Sequence, residues 1–149
     1  MRHRITATLL VAAAAFTGLA TAAPAQAAGS VHLTEIYYNS PGSDNRSKAS
    51  LNAEWVLIKN STSKGVSLKG WTLTDASSHK YTFGTYTLGA GKSVKIHTGK
   101  GTNTATNRYQ QRAAYVWNND KDKATLKRSS GAVQDTCSYN STKVAYKMC

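Results

Sequence analysis

The chain is short of acid. Seven Asp and Glu stand against nineteen Lys and Arg in 149 residues. That scarcity narrows hydrolytic chemistry, which needs paired carboxylates or a nucleophile with its base. Glu35 and Glu54 are the only glutamates. Serine is plentiful, but no GxSxG elbow occurs. Cysteine is scarce as well. Cys137 and Cys149 lack the CxxC spacing and the neighbouring histidine of a metal or redox centre. Long apolar runs are confined to residues 5–19, so nothing beyond them has the length to span a bilayer. No segment after residue 27 keeps a helical period, and neither a solenoid repeat nor a low-complexity tract is present.

What is present starts at the N-terminus. Arg2 and Arg4 precede the alanine-rich apolar run, and Ala25-Gln26-Ala27 supplies a small-x-small cleavage site before Ala28. Residues 1–27 therefore read as a secretory signal peptide. Thr6, Thr8, Thr17 and Gly18 interrupt the run, which weakens the alternative of a retained anchor. The two arginines are not adjacent, so twin-arginine export has no support. Residues 28–149 are one domain's worth of chain, enough for a single core. Without Arg2 and Arg4, seventeen basic residues face the seven acids. In an oxidising compartment Cys137 and Cys149 are expected to pair.

The rest has the texture of an all-β protein. Short alternating stretches are punctuated by turn residues. Strands are expected at 31–38, 54–60, 71–74, 80–83, 94–97, 115–117, 124–127 and 132–135. In the first, Val31 and Leu33 share a face and Ile36 and Tyr38 fall out of phase, which implies a bulge near Glu35. Ser129-Ser130-Gly131 reads as the tight turn of a hairpin. Residues 39–52 and 99–112 are polar and read as long loops.

Several segments recur in a recognisable order. They are Glu35-Ile36, Glu54-Trp55-Val56-Leu57-Ile58-Lys59-Asn60, Leu68-Lys69-Gly70-Trp71-Thr72-Leu73-Thr74-Asp75, Tyr81-Thr82-Phe83, Leu88-Gly89-Ala90-Gly91, Val116-Trp117-Asn118-Asn119 and Gly131-Ala132-Val133. In order and spacing the series resembles the lamin tail domain, in its secreted bacterial form, over residues 31–139. The resemblance implies an immunoglobulin-like β-sandwich without a catalytic site. It also implies an interaction surface, as in animal lamins, or an accessory module, as beside bacterial nuclease and phosphatase domains. Leu57 departs from the pattern, standing where the family tends to carry an acid. Residues 141–149 lie outside it.

The candidate binding residues come from two places. If Val56 and Ile58 face the core, then Trp55, Leu57 and Lys59 face away. Either they form a partner-binding patch, or residues 144–146 fold back over them, held by Cys137 and Cys149; the cover is the favoured reading. Arg108, Tyr109 and Arg112 form a second group, in which Tyr109 has the chemistry to stack on a base. Tyrosines in a β protein are nonetheless more often sheet formers than base platforms. His32, His79 and His97 are far apart and read as surface residues. Residues 118–122 mimic a calcium loop but lack its glycine and closing glutamate. Asp122 is expected to bond backbone instead. Asn60 and Asn140 match glycosylation acceptors, a signal without weight if the source is bacterial.

Together these readings describe a secreted, non-catalytic, monomeric binding or structural module without cofactor or metal. Its basic surface favours anionic polymers, nucleic acid or cell-wall polymer, or an unidentified protein partner. A small secreted hydrolase using Glu35 or Glu54 is the alternative of another class. A peptide-binding or inhibitory module presenting loop 99–112 or a strand edge is a third.

Overall fold

The computed structural model describes residues 29–149. The expected signal peptide lies outside the described residues. Strand β1 (Val31–Tyr37) leads to a one-turn helix α1 (Lys48–Asn52) and then to β2 (Trp55–Asn60). After these come β3 (Val66–Ser67), β4 (Thr72–Thr74), β5 (Lys80–Thr82), β6 (Thr87–Leu88), β7 (Ser93–His97) and β8 (Asn107–Tyr109). The chain ends with β9 (Lys121–Lys127), β10 (Val133–Asn140) and β11 (Tyr146–Met148).

A five-stranded sheet has the order β11-β1-β2-β7-β8, and a four-stranded sheet the order β10-β9-β4-β5. A two-stranded ribbon, β3-β6, completes the set. Pairing is antiparallel except between β7 and β8. Alternation builds the core, because every second side chain of a strand faces one side. Val31, Leu33, Ile36, Val56, Ile58, Val94 and Ile96 point inward from the five-stranded sheet. Leu73, Ala124, Leu126, Cys137 and Tyr139 meet them from the four-stranded sheet, with Trp71, Phe83 and Trp117 between. Each such fully buried aliphatic side chain contributes about 1.5–3 kcal/mol.

The expected bulge is present. Pairing of β1 with β2 shifts between Leu33 and Glu35, which returns Ile36 to the core side. The 129–131 turn is present too. Gly131 has φ 88°, and its N–H donates to the Arg128 carbonyl at 2.9 Å, a conformation that suits glycine.

Four local expectations are corrected. The 39–52 stretch is not all loop, because it ends in α1. Ser47 caps that helix by accepting the Ser50 N–H at 3.2 Å. A single turn is too short to show a period. The 99–112 stretch contains β8, whose polar Asn107-Arg108-Tyr109 pairs with β7. Residues 115–117 are not a strand. The N–H groups of Val116 and Trp117 bond to the Glu54 carboxyl instead of a neighbouring strand. Finally, the segment around 144–146 does not lie over β2. It continues into β11, which pairs edge-on with β1.

Candidate functional site

Register brings one row of rings across the whole five-stranded sheet. Tyr146 pairs with Tyr37, Tyr37 with Trp55, Trp55 with His97, and His97 with Tyr109. All five are opposite neighbours on the outer face, since Val56, Ile36 and Ile96 between them are buried. Tyr146 stacks on Tyr37 at 6.2 Å between centroids, and Tyr37 on Trp55 at 5.5 Å. His97 stacks on Tyr109 at 4.9 Å. The Lys95 ammonium sits 3.9 Å over the Trp55 ring, a cation–π contact worth about 0.5–1 kcal/mol. A second row beside it holds Met148, Glu35, Leu57, Lys95 and Asn107. Lys59 is exposed one step further along β2.

The ring faces are largely taken by one another. Tyr37 lies between two rings, and Trp55 lies between Tyr37 and Lys95. Tyr109 has His97 on one side and the backbone of Gly101 against its ring. A Cβ on Gly101 would meet that ring at 2.5 Å. Tyr146, at the sheet edge and 46% exposed, has no second stacking neighbour among the described residues. Its neighbours Val144 and Met148 are exposed as well.

Four of the six binding candidates therefore share this face: Trp55, Leu57, Lys59 and Tyr109. The other two leave it. Arg108 pairs with buried Ile96, and its guanidinium lies 4.0 Å over the Tyr86 ring on the inner side. Arg112 reaches toward β5, donating from Nη2 to the Lys80 carbonyl at 3.2 Å and from Nε to Gln110 Oε1 at 3.2 Å. Reading along the chain missed Tyr37, Lys95, His97 and Tyr146. Their alternation was visible, but which of them would align across strands depends on the bulge in β1.

The two glutamates do not face each other. Glu35 stands on the outer face opposite Leu57 and Met148. Glu54 is 1% exposed and sealed inside. Its Oε1 accepts the Thr98 hydroxyl at 2.5 Å and the N–H groups of Val116 at 2.8 Å and Trp117 at 3.1 Å. Its Oε2 is buried and unpartnered. Burial pushes the carboxyl up to about 7, against the pull of those hydrogen bonds. The group clamps residues 116–117 onto the start of β2 and the end of β7.

The histidines are more engaged than expected. His79 Nδ1 lies 2.6 Å from Asp75 Oδ2. Half-buried His97 bonds the Asn52 carbonyl through Nδ1 at 2.7 Å and Asn107 Oδ1 through Nε2 at 2.8 Å. Among the described residues, no three His, Cys, Asp or Glu side chains gather as a metal-binding group.

The acids are occupied within the fold. Asp122 accepts the N–H groups of Ala76, Lys123 and Asn118, as the loop reading anticipated. Asp135 accepts Leu33 and Thr136 N–H, Asp120 accepts Lys121 N–H, and Asp44 accepts the Asn119 amide. Among the described residues no lysine or arginine forms an ion pair.

A disulfide joins Cys137 of β10 to Cys149 beyond β11. The strand order of two facing sheets agrees with one family match. The Lamin Tail Domain model matches residues 24–141. The chain belongs to the lamin tail domain family. That family is a non-catalytic immunoglobulin-like fold, a binding or structural module. No curated protein matches the chain. In this lamin tail domain, β11 and Cys149 lie beyond the matched residues. The exposed end of the aromatic row, Tyr146, therefore also lies beyond the matched residues.

Proposed function

We propose that this lamin tail domain is an exported, non-catalytic module that holds anionic polymer through its basic exterior by many exchangeable contacts. The observation that carries this reading is the separation of charge. Hydrogen bonds within the fold occupy all the acids but Glu35, while the lysines and arginines have no carboxylate partner among the described residues. Uncompensated cations on a compact domain draw polyanions by counterion release, a driving force that falls steeply with salt. The outer face of the five-stranded sheet, with Lys59 and Lys95 beside Trp55, is the contact region.

The test is retention of the purified protein on DNA and on cell-wall material at low and high salt. Retention is expected at low salt and lost at high salt, and Lys59→Glu with Lys95→Glu is expected to weaken it at low salt. Retention indifferent to salt overturns the reading. A second reading, a protein partner, is favoured by one observation: Val144, Tyr146 and Met148 are exposed together at the sheet edge. Capture that survives high salt and is lost in Tyr146→Ser or Met148→Ser selects it.

A further inference from the structure

Away from the aromatic row, four cations surround one concavity. Arg46, Lys48, Lys100 and Arg112 line it together with Leu51 and Ala113, and its volume is about 210 Å³. That is room for an oxyanion with several waters, each of which takes about 30 Å³ of liquid. Among the described residues, no carboxylate lines it. The nearest acid in sequence, Asp44, is held by the Asn119 amide at 2.8 Å and lies within reach of the Ser40 hydroxyl.

The walls are pre-formed by backbone and amide bonds, and among the described residues the Arg112 head alone of the four cations is itself hydrogen-bonded within the fold. Gln111 ties the Lys100 side to the Arg112 side: its Nε2 donates to the Gly101 carbonyl at 2.7 Å, and its Oε1 accepts Gly101 N–H at 3.3 Å. Its backbone N–H donates to the Gly99 carbonyl at 3.0 Å, and that of Arg112 to the Thr98 carbonyl at 3.1 Å. Asn52 holds the Lys100 carbonyl at 2.8 Å from α1. Two non-glycine residues with left-handed backbone, Arg46 at φ 56° and Gln111 at φ 60°, flank the concavity. Such conformations persist only where the surroundings enforce them, and they cluster at ligand clamps. Arg112 is oriented by Gln110 through Nε and by the Lys80 carbonyl through Nη2, which leaves three of its five N–H donors for a ligand.

We propose that this concavity is an oxyanion-binding site that seats one phosphate group, either free or carried by a polymer. Like charges gathered without a counter-ion repel, and a bound phosphate converts that repulsion into charge-assisted hydrogen bonds. Arginine presents the planar fork that matches phosphate oxygens, and the lysines add point charge. The site deepens the polyanion reading by naming one subsite, and rests on it only for the polymer.

The test is a titration of the purified, isotope-labelled protein followed by amide NMR. One arm uses inorganic phosphate, one uses polyphosphate, and sodium chloride at matched ionic strength is the reference. Saturable shifts are expected at Leu51, Gly101 and Ala113. Lys100→Ala and Arg112→Ala are each expected to weaken phosphate about fivefold or more, as loss of a charge-assisted bond does. Lys123→Ala on β9 is expected to leave it within about twofold. Arg112→Lys, which keeps the charge but not the guanidinium fork, is expected to fall between. Shifts that never saturate, that spread over all lysines, or that persist in Lys100→Ala and Arg112→Ala overturn the site. Phosphate binding here without polyphosphate retention sinks the polymer reading and leaves the site. Polyphosphate retention without saturable phosphate shifts does the reverse.

Discussion

A carboxyl that binds three donors with one oxygen and none with the other is cheaper to protonate than to leave charged in the interior. Glu54 is in that position. Its ordinary value of 4.5 rises to about 7 in the fold, so the folded state binds the proton more tightly than the unfolded chain does. Stability from this group is therefore fully present below pH 4.5, is lost as pH rises toward 7, and is flat above. The loss amounts to about 3 kcal/mol. Urea unfolding of the wild type is expected to show this decline, and Glu54→Gln, which keeps an acceptor oxygen, is expected to remove most of it. A Glu54→Gln protein with the wild-type slope would assign the decline elsewhere. Glu54→Ala leaves the Val116 and Trp117 N–H groups unpaired and is expected to destabilise by about 2–4 kcal/mol at pH 5. Sequence inspection offered Glu54 as one of the only two glutamates, a candidate acid of the alternative hydrolase. Its burial was not legible there, because the donors that surround it come from residues 98, 116 and 117.

At the scale of elements, β11 stands out. It makes three residue pairs with β1 and all its residues are exposed; flanking backbone bonds at Ala145 and Cys149, the Tyr146–Tyr37 stack and the Cys137–Cys149 bridge secure it further. That bridge joins the edge strand of one sheet to the edge strand of the other, closing one side of the sandwich. Reduction, or Cys137→Ser with Cys149→Ser, is expected to lower stability by about 3 kcal/mol in the chain-entropy account. Amide exchange should rise most at 146–148. Unchanged exchange there would show that strand pairing alone holds β11. The pairing of two lone cysteines was legible from their number and the export signal, but the sheets they join were not. The 98–106 connection offers a second element-scale case. Gly101→Ala places a methyl where the Tyr109 ring lies, so the ring is expected to leave His97. Loss of the His97–Tyr109 ring-current shifts in the proton spectrum checks this.

Across the whole molecule, charge is the dominant asymmetry. A basic domain with no lysine or arginine ion pairs among its described residues repels itself, and salt screens that repulsion. Its melting temperature is expected to rise by a few degrees between low and moderate ionic strength, the opposite of a fold laced with surface ion pairs. A melting temperature that falls with salt would contradict this. Alternation of two, turn residues at short intervals and a scarcity of acid are local properties. From them the sequence by itself determined an all-β fold, the places of β1, β2, β4, β5, β7, β9 and β10, the β1 bulge, and the sign of the surface, while the sandwich came from the family resemblance. Only the tertiary structure decided that Tyr146, Tyr37, Trp55, His97 and Tyr109 form one row, and that Arg112 leaves Tyr109 to join Arg46, Lys48 and Lys100. The reason is that a strand's own pattern says which side chains share its face, whereas register and chain crossing say which strands' faces meet. A shift of one residue in β1 would have turned Tyr37 inward and broken the row.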